Sequence, residues 1–237
     1  MGFDTYTEIR QPVLGIMLKN IKIDRKNNIK EYKMSETKED LFAHKSKSWD
    51  MSSKRVQNAK SIAELIVKNI DLNKQMELMD FGAGTGLLSF FIAPFVKKIV
   101  AVDNSPSMLQ EFENKCDEFQ CETQIVEKDL SKEMLDRQFD GIISSMTIHH
   151  LKDTLDLFKK FYAMTKPGGF IAIADLDSED GSFHSDNTGV FHHGFDREVL
   201  EEIAQEAGFV DVRFDTASTI SKPHRDFTVF LLTARKA

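Results

Sequence analysis

The feature that most constrains this chain is an alternation of short apolar segments with segments of helical periodicity. Apolar runs occupy residues 76–81, 99–103, 123–127, 139–145 and 170–175, and two more follow at 209–214 and 227–233. Apolar residues recur at three- and four-residue steps over residues 55–70, and helices are predicted to begin at about Gly86, Ser105, Asp153 and Asp196. Parallel strands need crossover helices between them, so this order predicts an α/β fold built on a mainly parallel sheet.

The balance of charge separates a short basic N-terminal segment from an acidic body. The 237 residues carry a formal net charge of −7. Residues 1–33 hold seven Lys/Arg and four Asp/Glu, a net +3, which leaves −10 for residues 34–237. We therefore predict an N-terminal appendage of unknown role at residues 1–33 and one functional domain at residues 34–237. An acidic body counts against nucleic acid as a partner.

Two further patterns bear on the compartment. The longest early apolar run, at residues 13–18, has six residues, too few for a signal-peptide core or a membrane span. Cys116 and Cys121 are too few for a disulfide framework or a four-ligand zinc site, and two such thiols suit a reducing compartment. We expect a cytoplasmic protein without a membrane partner, and the sequence does not indicate its oligomeric state.

A glycine-rich segment follows the first predicted strand and opens a helix. It reads Leu-Met-Asp-Phe-Gly-Ala-Gly-Thr-Gly at residues 78–86, so a ligand can touch backbone where the helix begins. A dinucleotide site counted from Gly82 needs a glycine at position 87, which is Leu87. The pattern therefore disfavours a nicotinamide enzyme, and a tight turn without any ligand is the alternative to a binding site.

An acidic residue ends the second predicted strand at the distance that a ribose site needs. Asp103 follows Gly82 by 21 residues. A carboxylate at the end of this strand can accept hydrogen bonds from both hydroxyls of a ribose. The alternative is an ordinary helix cap ahead of Ser105 and Pro106.

With these motifs, the chain resembles the class I S-adenosylmethionine-dependent methyltransferases, of the small-molecule type and of a bacterial subgroup with unassigned substrates. The resemblance runs from about Phe42 to the C-terminus. Further motifs that carry it are Val-Asp-Asn-Ser-Pro-Ser-Met at 102–108, Glu-Lys-Asp-Leu at 127–130, Phe-Asp-Gly-Ile-Ile-Ser-Ser at 139–145 and Lys-Pro-Gly-Gly-Phe at 166–170. It implies a Rossmann-like, seven-stranded, mainly parallel sheet with an antiparallel last strand and helices on both faces, within a methyltransferase domain at 34–237.

The resemblance also implies S-adenosylmethionine as the cofactor and assigns residues to it. Asp80 and the glycine backbone would contact the methionine portion, Asp103 the ribose, Met108 the adenine ring and Asp129 the adenine amino group. The implied cofactor contacts are Trp49, Asp80, Gly82, Ala83, Gly84, Thr85, Gly86, Asp103, Asn104, Met108, Asp129, Leu130 and Ser145. Core filling is the alternative for Met108, and a surface anchor is the alternative to an aromatic lid for Trp49.

Histidines in two loops are the candidates for proton transfer. His149 and His150 follow the fourth predicted strand, and adjacent side chains in a loop diverge, so His150 is predicted to face the site while its neighbour packs or caps a helix. His184 and His193, in the polar stretch after the fifth strand, are the other candidate bases. Capping roles in a solvated loop are the alternative, and the irregular spacing argues against a metal site.

Together these patterns predict methyl transfer to a small-molecule acceptor by in-line displacement, a reaction that depends chiefly on alignment. Acceptor specificity is predicted to lie in residues 42–49, 149–150 and 175–193, around the open end of the sheet. Three other functions stay open: an RNA or protein methyltransferase, a nicotinamide-dependent oxidoreductase, and a protein of this fold that binds the cofactor without transfer. The sequence does not identify the acceptor or its nucleophilic atom.

Overall fold

The computed structural model describes residues 40–237, in which strands and helices alternate as the apolar pattern predicts. In chain order the elements are α1 (Ser53–Asn69), β1 (Glu77–Phe81), α2 (Leu87–Ile92), β2 (Lys98–Asp103), α3 (Pro106–Glu113), β3 (Glu122–Glu127), β4 (Phe139–Ser145), α4 (Thr154–Met164), β5 (Thr165–Leu176), α5 (Arg197–Glu206), β6 (Val210–Lys222) and β7 (Arg225–Arg235). Short 3₁₀ helices occur at Ser46–Met51, Ala93–Phe95, Cys116–Glu118 and Ile148–His150. The predicted appendage at residues 1–33 lies outside the described residues. No helix of the described part is long and apolar enough to cross a membrane.

The strands form one seven-stranded sheet in the order β3-β2-β1-β4-β5-β7-β6. Strands β1 to β5 run parallel to one another, while β7 lies antiparallel between β5 and β6. Six strands therefore share one direction and the last opposes them, which confirms the predicted Rossmann-like sheet. The carboxyl ends of β1 to β5 consequently lie along one edge.

Alternate residues of the central strands face opposite layers of helices. Leu78 of β1 lies in the core that also holds Ile62 of α1, whereas its neighbour Met79 lies in the core that holds Phe158 and Phe161 of α4. Burial on both faces explains why these strands are nearly continuous apolar runs in the sequence. The prediction of helices on both faces is confirmed.

The β6–β7 hairpin is longer than predicted, because the apolar pattern indicated strands only at residues 209–214 and 227–233. Strand β6 lies at the edge of the sheet, and beyond Phe214 it carries half-buried or exposed polar residues such as Asp215 and Thr219, so no apolar run marks this part. Register shifts between Val210 and Arg213 and between Thr216 and Ser218 also interrupt the alternation.

Candidate active site

The turn between β1 and α2 is built from glycines with left-handed backbone angles. A Cβ at Gly82, where φ is +66°, would lie 2.1 Å from the side chain of Thr147, so packing excludes a side chain there. At Gly84, where φ is +54°, no atom lies within 4 Å of an added Cβ. The backbone of Gly84 therefore faces open space at the carboxyl end of β1, as close approach of a ligand requires.

Asp103 ends β2 directly beside this turn. Its Oδ2 accepts a hydrogen bond from the N–H of Gly84 at 2.8 Å, and its Oδ1 accepts one from the N–H of Ser105 at 2.9 Å. Burial raises the pKa of Asp103 above its ordinary value, although these hydrogen bonds act to lower it. The residue that caps α3 is Ser105, whose Oγ accepts from the N–H of Met108 at 3.3 Å, so the capping alternative for Asp103 is wrong.

Asp80 lies in β1 beneath the glycine turn and is 1% exposed. Its Oδ2 accepts a hydrogen bond from the hydroxyl of Ser89 in α2 at 2.6 Å. Burial, with a smaller contribution from the charge of Asp103, raises the pKa of Asp80 to about 7. Asp80 therefore ties α2 to β1 below the turn and titrates near neutral pH.

The other residues implied as cofactor contacts lie at the same edge of the sheet. Asp129 follows β3 and accepts hydrogen bonds from the N–H and the hydroxyl of Ser131 at 3.2 and 2.6 Å. The preceding N–H, that of Lys128, donates to the carbonyl of Asp103 at 2.9 Å, which holds this segment against the end of β2. The buried members of the set are Ala83, Thr85, Gly86, Met108 and Leu130, whereas Ser145 is half-buried and Asn104 is exposed.

The sheet order explains why distant motifs meet. The predicted cofactor residues follow β1, β2, β3 and β4, which are adjacent in the sheet. Beyond β1 the chain first builds outward through β2 and β3 and then returns to the other side with β4. Ligands of open α/β sheets bind in the crevice outside the carboxyl ends at such a reversal.

The leader at residues 40–51 lies over this edge. The ring of Phe42 meets the rings of Trp49 and His150 edge-on, with centres 6.1 and 5.6 Å apart. The guanidinium of Arg55 covers the face of Trp49 at 4.0 Å. A Cβ added to Gly189 would lie 2.9 Å from Leu41, so the leader also meets the loop that follows β5.

Two carboxylates fasten the leader to the cofactor-side loops, and no sequence motif marks them. Asp40 accepts hydrogen bonds from the hydroxyl of Ser105 at 2.7 Å and the N–H of Ser107 at 3.0 Å. Burial acts to raise the pKa of Asp40, but these hydrogen bonds outweigh it and hold the pKa below its ordinary value. Asp50 accepts from the hydroxyl of Thr85 in the glycine turn at 2.5 Å.

A buried ion pair, which sequence analysis missed, lies next to the loop after β4. The Nδ1 of His149 is 2.8 Å from Oδ1 of Asp175, whose carboxylate also accepts the N–H groups of His149 and Leu176 at 3.3 and 2.8 Å. Burial lowers the pKa of His149 and raises that of Asp175, but their attraction outweighs burial for both groups. The pKa of His149 therefore lies above its ordinary value and that of Asp175 below, so near pH 6 both are charged.

His150 and His184 complete a histidine cluster around His149. Ring centres are 4.2 Å apart for His149 and His150, 5.0 Å for His149 and His184, and 6.0 Å for His150 and His184. The Nδ1 of His150 lies 2.7 Å from the carbonyl of Gly189, which can only accept, so Nδ1 donates and Nε2 carries the lone pair. Burial, strengthened by the charge of His149, lowers the pKa of His150 and of His184 to about 4.

His193 is not brought into this cluster. Its side chain is exposed, a Cβ on Gly181 would lie 2.9 Å from its ring, and its carbonyl accepts the N–H of Glu179 at 2.9 Å. Of the three histidines predicted as bases, the structure groups His150 with His184. Within residues 40–237, no group of three or more His, Cys, Asp or Glu side chains is arranged to hold a metal ion.

Comparison with known sequences places the chain in a family. The profile described as a methyltransferase domain matches residues 54–213. An uncharacterised methyltransferase of Schizosaccharomyces pombe is 33% identical over 144 residues, which are 54% of this chain and 51% of that protein. Phosphoethanolamine N-methyltransferase 3 of Arabidopsis thaliana is 30% identical over 154 residues, 62% of this chain and 31% of that protein. The chain thus spans about half or less of the length of these curated relatives.

Solved structures agree in fold at low sequence identity. Phosphoethanolamine N-methyltransferase 2 of Haemonchus contortus, with phosphomonomethylethanolamine and S-adenosylhomocysteine, aligns with a TM-score of 0.60 at 18% identity, over 80% of this chain and 58% of that one. Magnesium protoporphyrin IX methyltransferase of Synechocystis, with S-adenosylhomocysteine, aligns with a TM-score of 0.61 at 17% identity, over 78% and 84%.

The fold and the family match together define a class I, Rossmann-like methyltransferase. The chain belongs to the methyltransferase-domain family, and the predicted class and its cofactor, S-adenosylmethionine, are confirmed. The assignment to a bacterial subgroup stays a prediction.

Proposed function

We propose that residues 40–237 transfer a methyl group from S-adenosylmethionine to a small-molecule acceptor. The observation that carries this proposal is the hydrogen bond between Gly84 and Asp103, which places open backbone and a carboxylate together at the crevice of the sheet. When bound there, the cofactor supplies an electrophilic methyl group on its sulfur.

In this proposal, different residues at the crevice bind different parts of the cofactor. Asp103 accepts the ribose hydroxyls, and the backbone of residues 82–86 holds the methionine portion. Met108 and Asp129 border the adenine, with the carboxylate accepting from its amino group. Asp80 is too deeply buried to contact much of the cofactor, and it supports the glycine turn through its hydrogen bond with Ser89. Trp49, Thr85, Asn104, Leu130 and Ser145 complete the proposed boundary.

Two observations support a small acceptor. The leader meets the loop after β4 through Phe42 and His150 and the loop after β5 through Leu41 and Gly189, which covers this end of the crevice. A covered site suits a small molecule better than a nucleic-acid helix or a folded protein. The relatives include phosphoethanolamine N-methyltransferases and a malonyl-[acyl-carrier protein] O-methyltransferase. The first of these names gives a small molecule as the acceptor.

An acceptor that must lose a proton needs a base near the methyl group. We propose His150 for this role, because its Nε2 keeps a lone pair while Nδ1 is held by Gly189. His184 is the second candidate, since it lies in the same cluster. His193 remains a proposal from the sequence that the geometry of the cluster does not strengthen.

The test is transfer of a labelled methyl group from S-adenosylmethionine to fractionated small metabolites and, separately, to RNA. We expect label in the small-molecule fraction, with a His150→Gln variant that keeps cofactor binding but turns over more slowly. Calorimetry with S-adenosylhomocysteine is the control for the cofactor site. Label in RNA alone, or the absence of any cofactor binding, would contradict the proposal.

A further inference from the structure

Within residues 40–237, three polar atoms at the covered end of the crevice are buried without a partner. They are Nε2 of His149, Nε2 of His184 and Oε1 of Glu179. These three residues come from the loop after β4 and from the loop after β5, and the ring centres of the two histidines are 5.0 Å apart. A buried polar group without a partner is costly, so together these atoms point to a polar ligand.

The chemistry of His149 specifies what such a ligand presents. Asp175 accepts from Nδ1 and fixes the ring, so Nε2 points away from the carboxylate. Because the pKa of His149 lies above its ordinary value, near pH 6 the imidazole is charged and Nε2 carries a proton that it can donate. His184 makes no hydrogen bond to another described residue that fixes its tautomer, so its Nε2 can donate as well. Two neighbouring donors are complementary to an oxygen with several lone pairs.

The local charge balance agrees with this chemistry. The charged groups that act on the three imidazoles are His149, Lys45 and Lys222, which are positive, and Asp175 and Glu179, which are negative. The excess is one positive charge. The carboxylate of Glu179 accepts hydrogen bonds and an oxyanion has none to donate, so the anionic part of a ligand does not bind at the free oxygen of Glu179.

We propose that His149 and His184 form a subsite for an oxyanion, a carboxylate or phosphate group, of the methyl acceptor. The proposal rests on the proposed function and deepens it, because it names the class of acceptor as a small anion or zwitterion. Asp175 is then a positioning residue, which holds His149 with Nε2 toward the oxyanion. In this arrangement His184 donates to the oxyanion, which leaves His150 as the candidate base for the nucleophilic end of the acceptor.

Two variants separate the two roles of His149, which are donation from Nε2 into the subsite and donation from Nδ1 to the carboxylate of Asp175. In His149→Asn, the amide nitrogen replaces Nδ1, so Asp175 keeps a donor while the Nε2 donor is lost. In the double variant His149→Gln with Asp175→Asn, the amide nitrogen reaches the place of Nε2, and no buried carboxylate is left unpaired. His224→Asn is the matched control, since His224 is exposed in the β6–β7 turn.

The probes are inorganic phosphate and acetate, titrated at constant ionic strength with and without S-adenosylhomocysteine, while imidazole ¹⁵N resonances are followed. We expect saturable shifts at His149 and His184, binding about ten-fold or more weaker in His149→Asn, and near-normal binding in the double variant and in His224→Asn. A response to phosphate alone or acetate alone names the headgroup.

Several results would overturn the subsite. They are the absence of a shift with either anion, unchanged binding in His149→Asn, or loss of binding in the double variant when its melting temperature is preserved. Failure of S-adenosylhomocysteine to bind would count against the proposed function instead, because the anion titration without cofactor tests the subsite by itself.

Discussion

Single side chains at this crevice hold the ends of different strands together. Asp103 joins the glycine turn to the start of α3 through Gly84 and Ser105, and it is also the proposed ribose ligand. A ligand hydroxyl that binds this carboxylate would meet an acceptor already oriented by two backbone donors. The site is therefore largely preformed, which lowers the entropy lost on binding.

We predict that Asp103→Asn weakens binding of S-adenosylhomocysteine about ten-fold or more, because hydrogen bonds to a charged group contribute roughly 1.5–3 kcal/mol. Calorimetry measures the affinity, and circular dichroism checks that the fold persists. Asp117→Asn, at an exposed carboxylate outside the crevice, is the matched control. Equal affinities for the wild type and Asp103→Asn would refute the assigned role.

Pairs of residues that meet in the site differ in how well the sequence predicts their contact. The spacing of Gly82 and Asp103 matches a known strand-to-strand geometry, so their proximity was predictable. The pairing of His149 with Asp175 depends instead on the register of β4 and β5, in which Ser145 is opposite Ala174. No local pattern reports that register, so His149, which was predicted to pack or to cap a helix, proved to belong to a buried ion pair.

At the scale of elements, the leader is held by polar contacts rather than by a strand or a long helix. Asp40 accepts from Ser105 and Ser107 at the first turn of α3, where the helix has unpaired N–H groups. The leader therefore completes the hydrogen bonding of α3. Sequence analysis predicted α3 and the aromatic character of the leader but not this contact, because 65 or more residues separate the partners.

We predict that Asp40→Ala speeds amide hydrogen exchange in the first turn of α3 and in the leader, while the central strands keep their protection. The reason is that loss of a carboxylate cap leaves a helix N–H unsatisfied, at a cost of about 0.5–2 kcal/mol. Exchange followed by mass spectrometry provides the measurement. Uniform loss of protection across the sheet would show instead that Asp40 supports the whole domain.

At the scale of the whole molecule, elements were predictable where burial on both faces imposes an apolar run, as in β1, β2 and β4. The far end of β6 was not, because an edge strand tolerates polar residues and its register shifts break the alternation. The same buried carboxylates that organise the site also determine how stability depends on pH. The pKa values of Asp80, Asp103 and His149 are raised, whereas those of His150, His184 and Asp175 are lowered.

We predict that the melting temperature is highest near pH 6.5, because His150 and His184, whose pKa is lowered to about 4 in the folded protein, reduce stability as pH falls from about 6.5 toward 4. Asp80 and Asp103 bind their protons more tightly when folded, which offsets part of this loss, for Asp80 up to about pH 7. His149 contributes stability below its unfolded pKa of about 6.5, and this is lost as pH rises through its folded value. The carboxyl groups whose pKa is lowered in the folded protein contribute stability above about pH 4, so stability is also lost in stronger acid.

Calorimetric melting curves across pH 3–9 provide the test, with Asp80→Asn as the matched variant. The asparagine can still accept from Ser89 but does not titrate, so the rise in melting temperature between pH 4 and 6.5 becomes steeper. A wild-type maximum at pH 8, or an unchanged slope in the variant, would contradict the prediction.

The insertion of β7 between β5 and β6 has a consequence for synthesis on the ribosome. Strand β6 emerges before β7, yet its neighbour in the sheet is β7 and not β5. Until residues 225–235 have left the exit tunnel, the edge of β5 and the whole of β6 lack their pairing partners. The nascent chain therefore exposes unpaired strand edges until β7 emerges, when most of the parallel sheet can already form, and this interval is when chaperones would protect it from association.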